Sequence, residues 1–319
     1  MFLLKKIFNI EQLNLRVAVT LFGIKIKFKS KKVKQQINKA SLSRKIRKFA
    51  KSGICEVSRK PRLIVSLTSF PERMAEIKYT LYSLLTQTLK PDMVVLWLAK
   101  EQFPEREKDI PQEVLNLCRY GLSIKWCNDL KSYKKLVPAL QEFPHDILIT
   151  ADDDLFYEPE WLEKLYNAYL ENPQIIHCHR AHYIQLNADG SLKKYTEWEQ
   201  SVSASAASYR NFSTTGGGVL YPPKCFYQDV CQEKLFQKLS PTADDIWFWA
   251  MLVLNGKKIQ VIKDNLPIKY VCPEREMGLT KDRTLASVNL GLAKNDEQLK
   301  NIIAQYPDII VRLNKESQK

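Results

Sequence analysis

Histidine and glycine are scarce in this chain of 319 residues, which has only four histidines and ten glycines. Its seven cysteines form no CxxC pair, so neither a zinc ribbon nor a disulfide framework is indicated and reduced thiols are expected. No apolar run has the length of a membrane span, and residues 1–6 lack the order of a secretory signal. We therefore expect a cytoplasmic protein.

Excess positive charge is absent from most of the chain. Residues 1–60 hold 17 Lys or Arg against two Glu, a net charge of +15, whereas residues 61–319 carry −1. A nucleic-acid-binding fold would spread its basic face through the folded domain, so we expect no nucleic-acid partner. The pattern predicts a basic N-terminal extension, residues 1–60, on a neutral body.

Within this extension, residues 17–29 mix apolar and basic side chains, which alternate at period two over residues 24–29. Two interpretations fit the pattern. The extension could dock on anionic lipid headgroups, which would make the protein peripheral on the inner face of the cell membrane. Alternatively, the segment could be a solvated hairpin followed by a basic helix over residues 42–51.

From residue 61 onward, strand-like and helical segments alternate. Repeated β-α units predict an α/β fold with a mainly parallel sheet flanked by helices. The predicted strands are residues 63–67, 93–98, 122–127, 146–150 and 258–262. The predicted helices are residues 72–87, 112–120, 132–141, 161–170, 225–239 and 244–254. The polar residues 187–215 are predicted to form a long irregular connection of the kind that makes lids or acceptor loops.

Three consecutive acids, Asp152, Asp153 and Asp154, follow an apolar run that reads as a buried parallel strand. Ligands bind outside the carboxyl ends of such strands, and adjacent carboxylates are costly without a cation. In an extended segment Asp152 and Asp154 would face one side and hold one divalent cation, Mn²⁺ or Mg²⁺, while Asp153 faced away. The alternative is that Asp154 or Glu158 caps a helix starting near residue 159.

Two further turns follow predicted strands. Thr68, Ser69 and Arg73 offer hydroxyls, amides and a guanidinium suited to a nucleotide diphosphate, although Ser69 could equally be an ordinary helix cap. After the third strand, Asp129 could face a base or ribose while Lys131 or Lys135 reaches a phosphate. A helix start bearing solvated lysines explains that second turn equally well.

Two late motifs complete the candidates. Gly217 and Gly218, in a run of three glycines, leave the backbone open to a ligand, unless they only make a tight turn into an edge strand. Asp244 and Asp245 border an aromatic segment, where rings could pack on a sugar and a carboxylate could take a hydroxyl proton. Their alternative role is to start a helix.

Five segments, in this order, resemble the GT-A glycosyltransferases, specifically the bacterial family-2-like enzymes that build lipopolysaccharide or capsule glycans: SLTSFPER, DLKSYKKL, TADDD, TGGGVLYPP and TADDIWFWA. The resemblance implies a GT-A, Rossmann-like domain over residues 61–270, followed by a C-terminal segment, residues 271–319. It also implies that Asp152 and Asp154, with Asp153 nearby, bind the metal and the donor diphosphate. Asp245 matches the family's catalytic base, with Asp244 as its rival. The histidine ligand that many relatives supply near the C-terminus has no counterpart, because the last histidine is His182.

The implied reaction moves a sugar, with inversion, from a nucleotide-diphosphate donor to a cell-surface glycan or glycolipid. A UDP-sugar is the expected donor. One alternative is a nucleotidyltransferase acting on a sugar phosphate, but such enzymes usually have a glycine-rich loop after the first strand, and residues 68–71 contain no glycine. The other is a noncatalytic protein that binds membrane or nucleic acid through its basic extension.

Overall fold

The computed structural model describes residues 8–13, 16–21, 24–29, 38–57, 59–272 and 294–317. Its strands are β1 Phe8–Leu13, β2 Arg16–Leu21, β3 Ile24–Lys29, β4 Leu63–Thr68, β5 Met93–Ala99, β6 Leu122–Cys127, β7 Ile147–Thr150, β8 Ile176–Cys178, β9 Ala181–Tyr183, β10 Glu199–Val202, β11 Asn211–Ser213, β12 Val219–Tyr221 and β13 Ile259–Val261. Its helices are α1 Lys39–Arg47, α2 Ile77–Leu85, α3 Gln112–Leu115, α4 Val137–Glu142, α5 Trp161–Glu171, α6 Glu233–Leu239, α7 Asp244–Leu254, α8 Lys294–Gln305 and α9 Asp308–Ser317.

A seven-stranded sheet organises the fold, in the order β13-β8-β12-β7-β4-β5-β6. Strands β4, β5, β6 and β7 run parallel, and β13 is parallel to β8, whereas β12 is antiparallel to both of its neighbours. The prediction of a mainly parallel α/β sheet flanked by helices is therefore confirmed.

The sheet lies between two apolar cores, and the side-chain alternation of its strands explains why. In β4, Ile64 packs into one core while Leu63, Val65 and Leu67 pack into the other, and all four are fully buried. A strand covered on both faces must be apolar at nearly every position. This is why β4 and its neighbours could be predicted from their composition.

Between Ile246 and Val253, helix α7 is apolar around its whole circumference, because it packs against β11, the 3₁₀ turn at Gln228–Cys231 and the helices α8 and α9. Its residues 246–253 are all buried. Leu299 and Ile302 of α8 and Leu313 of α9 belong to the same core as Trp249 of α7. The C-terminal helices thus pack directly on the helix that begins with Asp244 and Asp245.

Several predicted elements differ from the structure. Residues 187–215 are irregular only in part, since they also contain β10 and β11, which flank β9 in a small antiparallel sheet. Three- and four-residue strands with polar side chains lack the apolar alternation that predicts strands. The helix predicted over residues 225–239 begins only at Glu233, after a 3₁₀ turn at Gln228–Cys231.

In the N-terminal part, β1, β2 and β3 form a separate three-stranded antiparallel sheet. The predicted basic helix is present as α1, although it begins and ends a few residues earlier than residues 42–51. No helix in the described part of the chain combines the length and apolar character needed to cross a membrane.

Candidate active site

The candidate site lies at the carboxyl edge of the sheet, between β4 and β7. The chain steps from β4 to β5 and β6 on one side, and then returns to place β7 on the other side of β4. At such a switch point the connections leave in opposite directions, which opens a crevice for a ligand. Ser69 and Arg73 follow β4 at this edge, and the three aspartates follow β7.

The three aspartates have different partners. Strand β7 ends at Thr150, and the chain turns at Asp153 and Asp154. Asp152 pairs with Lys135, Asp153 accepts a 2.5 Å hydrogen bond from the Ser69 hydroxyl, and Asp154 lies 2.9 Å from the Arg73 guanidinium. The alternation expected of an extended segment does not apply here, because the backbone turns after Asp152.

The alternative role of these acids, as helix caps, is not observed. Helix α5 begins at Trp161 without a side-chain cap, and the Trp161 amide donates to the backbone carbonyl of Glu158. Ser69 does not cap a helix either, since its hydroxyl donates to Asp153. Both turns therefore direct their polar side chains at each other instead of at helix ends.

Lys135 joins the aspartates after β7 to those that begin α7. Its Nζ donates to Asp152 Oδ1 at 2.5 Å and to Thr215 Oγ1 at 3.0 Å, and it lies 3.4 Å from Asp244 Oδ2. Burial alone would lower the pKa of Lys135, but Asp152, Asp244 and Asp245 outweigh burial and raise this pKa well above its ordinary value. Lys135 is therefore a fixed positive charge in the site.

Asp245 is held by Thr215. Its Oδ1 accepts hydrogen bonds from the Thr215 amide at 2.9 Å and from the Thr215 hydroxyl at 2.6 Å. Burial and the neighbouring Asp244 raise the pKa of Asp245 to about 6. Asp244 is the more deeply buried of the two, at 7% exposure, and faces Lys135. The geometry thus distinguishes the two acids that the sequence left as rivals.

Negative charge exceeds positive charge in this group. Five carboxylates (Asp152, Asp153, Asp154, Asp244 and Asp245) surround two cations, Lys135 and Arg73. Burial and Asp154 raise the pKa of Asp153 to about 7, although Arg73 opposes the change. Burial also raises the pKa of Asp154. Such shifts mark a site whose carboxylates favour an additional cation or a proton.

The three glycines pack closely against this group. A Cβ on Gly216 would lie 2.1 Å from Asp152 Oδ2, and a Cβ on Gly218, whose φ is +103°, would lie 2.4 Å from the Trp161 indole nitrogen. The Gly217 carbonyl accepts a hydrogen bond from that indole nitrogen at 2.9 Å. The edge-strand alternative is wrong, because β12 lies inside the sheet between β7 and β8. Two glycines are thus needed for packing within the protein.

We expect Gly218→Ala to lower the free energy of unfolding by about 2–4 kcal/mol, because it combines a strained φ with overlap on a buried indole. Gly256→Ala is the matched control. Gly256 has φ +71°, but the nearest atom to its Cβ would be the end of the Arg312 side chain at 3.2 Å. That variant should cost only about 1 kcal/mol. Denaturant unfolding monitored by circular dichroism measures both, and equal losses would contradict the packing argument.

Three other predicted site residues have partners outside the group of five carboxylates. Thr68 is bound to the sheet, since its hydroxyl donates to the Trp97 carbonyl at 2.8 Å. Asp129 follows the edge strand β6 and accepts 2.7 Å and 3.0 Å hydrogen bonds from Lys134 Nζ and the Lys131 amide. Lys131 itself is exposed, with φ +54°. Within the described part of the chain, none of these three forms a hydrogen bond or ion pair with the five carboxylates.

Sequence reasoning missed several residues that hold the site. The Tyr157 hydroxyl accepts a bond from the Asp152 amide at 2.7 Å and donates to the Gly216 carbonyl at 2.9 Å. Gln298 of α8 accepts a 2.9 Å hydrogen bond from the Thr242 amide, just before α7. An aromatic side chain three residues beyond the acids and a glutamine in a distant helix carry no local signal. Only Thr215 among these residues could have been found from the sequence, because it is the first residue of the glycine motif.

By themselves, the five carboxylates provide only part of the coordination that a hard divalent cation needs. Within the described ranges, no three His, Cys, Asp or Glu side chains form a ready-made metal cluster. Asp152 and Asp154 already pair with Lys135 and Arg73, yet the surplus of carboxylate remains. Magnesium sites commonly use one or two carboxylates together with substrate phosphates, so two oxygen ligands from this chain fit that pattern. The fold and the site define a doubly wound α/β protein with a crevice at the switch point of its sheet.

Residues 134–228 match the profile of glycosyl transferase family 2. The matched segment includes Lys135, the three aspartates and the glycine run, but it ends before α7. No curated protein matches the chain. For this segment, the match agrees with the resemblance to family-2-like glycosyltransferases that the sequence motifs indicate.

The solved structures to which the chain is similar are distant in sequence. Residues 1–349 of S. aureus TarS are 15% identical, with a TM-score of 0.45, over 77% of this chain and 72% of TarS. The same protein in complex with UDP is 15% identical, with a TM-score of 0.44, over 65% and 59%. The inositol-1-phosphate CTP transferase of T. maritima is 14% identical, with a TM-score of 0.38, over 64% and 85%.

Proposed function

We propose that this glycosyltransferase moves a sugar from a nucleotide-diphosphate donor, expected to be a UDP-sugar, to a cell-surface glycan or glycolipid acceptor with inversion. The observation that carries the proposal is the group of five carboxylates around Lys135 and Arg73 at the switch point of the sheet. A diphosphate in this crevice would bring negative charge to a site already rich in carboxylates. That charge balance supports a requirement for Mn²⁺ or Mg²⁺.

Asp152 and Asp154 would hold the cation, with Asp153 beside them. When bound, the cation would offset the charge that develops on the departing diphosphate. Lys135 and Arg73 are fixed positive charges at the same edge and support that role in the protein itself. Ser69 and the Thr68 turn would face the diphosphate, Asp129 would face the base or ribose, and Lys131 would reach a phosphate. Gly217 and Gly218 would border the donor sugar.

Asp245 is the proposed general base. As the acceptor oxygen attacks the anomeric carbon, its proton passes to Asp245, and the bond between that carbon and the diphosphate oxygen breaks from the opposite face. Because Oδ1 accepts both bonds from Thr215, Oδ2 would be the oxygen that takes the proton of the acceptor hydroxyl. Asp244, buried against Lys135, would keep that lysine charged and in place.

The chain would be organised as an extension (residues 1–60), a catalytic domain (61–270) and a C-terminal segment (271–319) that supports α7. The extension would dock on the anionic inner face of the cell membrane, and this would bring the catalytic domain close to a lipopolysaccharide or capsule acceptor. The net charge of +15 over residues 1–60 supports this arrangement.

A nucleotide-sugar screen tests the proposal. Each candidate donor is added with Mn²⁺, with Mg²⁺ or with EDTA, and thermal stability and donor hydrolysis are measured. We expect one nucleotide class to raise the melting temperature only with a metal, and its sugar to be hydrolysed slowly. If every donor fails with both metals, or if EDTA changes nothing for the donor that binds, the metal-dependent proposal is wrong.

The pH dependence gives a second test. A base must be ionised to accept a proton, and the pKa of Asp245 is raised to about 6. We therefore expect kcat/KM to be low in acid, to rise through about pH 6 and to level off above neutral pH. The profile is measured at saturating metal with a soluble acceptor. A rate that is already at its plateau at pH 4 would contradict Asp245 as the base.

A further inference from the structure

A basic groove lies away from the carboxylate group, where α1 packs against α2. Its volume is about 640 Å³, and its walls include four cations and two aromatic rings: Arg44, Lys45, Lys48, Lys51, Phe49 and Tyr82. The cations come from the last turn of α1 and the residues after it, and Tyr82 belongs to α2. We name these six residues the α1 groove.

The α1 groove is fixed to the catalytic domain. Leu42 and Ile46 of α1 are buried, at 8% and 7% exposure, in the same apolar core as α2. The Phe49 ring packs edge-on against Tyr82 with centroids 5.4 Å apart. Ser43 Oγ and Tyr79 OH are 2.9 Å apart and hydrogen-bonded. The groove therefore has a defined shape, and α1 is anchored to the fold.

The cations of the α1 groove have no acidic partners in the part of the chain that the structure describes. Lysines elsewhere along the same two helices do have partners, since Lys39 pairs with Glu76 and Lys78 with Glu113. Clustering four like charges on one face is unfavourable unless an anion binds there. An unneutralised basic cluster beside aromatic rings is therefore matched to a negatively charged ligand with an apolar portion.

We infer that the α1 groove binds the phosphate of an anionic phospholipid headgroup at a membrane surface. Arg44 and the three lysines would contact the phosphate, and Phe49 and Tyr82 would lie at the level of the interface, where aromatic side chains are favoured. The inference gives the membrane-docking part of the proposed function a specific site. It does not depend on the sugar-transfer reaction, because its readout is binding to lipid.

Vesicle co-sedimentation of the full chain tests this site, with vesicles of phosphatidylcholine alone and of phosphatidylcholine mixed with phosphatidylglycerol. Arg44→Glu and Arg47→Glu form a matched pair. Both arginines are exposed on α1 and both changes remove the same charge, but Arg47 does not line the groove. We expect Arg44→Glu to lower partitioning to the mixed vesicles roughly tenfold, and Arg47→Glu to lower it less than about threefold.

Four outcomes would overturn the inference. The first is equal loss in the two variants, which would mean diffuse attraction without a site. The second is that the unmodified chain shows no preference for the anionic vesicles. The third is that the chain binds free glycerol phosphate and Arg44→Glu removes this binding while vesicle binding stays unchanged. The fourth is tight binding of a generic RNA that Arg44→Glu abolishes while vesicle binding persists. Circular dichroism of both variants, together with sugar transfer to a soluble acceptor, confirms that the fold and the active site are intact.

Discussion

Asp152→Asn is expected to lower kcat/KM for sugar transfer by at least about 10³-fold. The change keeps the shape of the side chain but removes one of the two charges proposed to hold the cation. It also leaves Lys135, which lies 2.5 Å from Asp152 Oδ1, with one carboxylate partner fewer. Both effects act on the same step, because the departing diphosphate would lose its counter-charge while Lys135 loses its anchor.

Asp154→Asn should give a loss of similar size with a different signature. Asp154 pairs with Arg73 at 2.9 Å, whereas the lysine pairs with Asp152, so removal of Asp154 should weaken metal-dependent nucleotide binding while the Lys135–Asp152 pair stays intact. Isothermal titration of the donor nucleotide, with and without Mn²⁺, separates the two variants from the unmodified chain. If both variants still bind the nucleotide in a metal-dependent way, the assignment of the metal site is wrong.

The matched control is Asp146→Asn, at the opposite end of the same strand. Asp146 precedes β7 and pairs with Arg62 at 2.6 Å, so this variant also removes a carboxylate from an arginine pair. Because it lies at the amino edge of the sheet, it should lower stability slightly and leave transfer unchanged. A comparable loss of activity in Asp146→Asn would mean that the effect at Asp152 reports folding and not chemistry.

The parallel core and its carboxyl edge could be predicted because their signals are local. Strand β6 was predicted with the bounds that the structure has, Leu122–Cys127, and α7 likewise, Asp244–Leu254. A buried strand must be apolar, a helix must begin with groups that satisfy its first amides, and turns need polar residues. Those constraints act over a few residues. The order of these strands, helices and turns along the chain was enough to predict that the acids lie together at the carboxyl edge of the sheet.

The remaining features depend on contacts distant in sequence. Nothing in Val219–Tyr221 indicates that β12 inserts antiparallel between β7 and β8, because strand direction is decided by pairing. Glu199–Val202 is too polar and short to be recognised as a strand, yet it pairs with β9. Lys135 was a candidate phosphate ligand from its position. Only the folded chain reveals that Lys135 joins Asp152 to Thr215 and Asp244.

The C-terminal helices carry no recognisable motif, but α8 helps to fix the start of α7, where Asp244 and Asp245 lie. Gln298 accepts hydrogen bonds from the Thr242 amide and hydroxyl, at 2.9 Å and 3.2 Å, and is only 4% exposed. Ser240, whose carbonyl accepts a 2.5 Å bond from Tyr133, lies in the same turn. The start of α7 is therefore fixed from two directions. A catalytic carboxylate must keep its position to within a fraction of an ångström, and this is what such fixing provides.

Asp245→Asn is the second large effect, and it should separate binding from chemistry. The amide cannot accept the proton of an acceptor hydroxyl, so kcat should fall by about 10³-fold or more while the affinity for the donor nucleotide stays within about twofold. The two hydrogen bonds from Thr215 to Oδ1 can be kept by the amide oxygen, so the helix start should remain folded. The residual rate should also lose the rise near pH 6, since the group with that pKa is gone.

Asp244→Asn is the decisive comparison. Asp244 is buried and faces Lys135 at 3.4 Å, so its loss should weaken the lysine's environment and lower both nucleotide affinity and stability. Rates at saturating donor across pH 4–9, together with nucleotide titration, distinguish the two acids. If Asp244→Asn keeps full nucleotide affinity and loses both turnover and the acidic limb, while Asp245→Asn retains them, then Asp244 is the base. The reason is that the carboxylate that takes the proton must be the one whose removal flattens the pH profile. In that case the hydrogen bonds from Thr215 to Asp245 would serve only to shape the site.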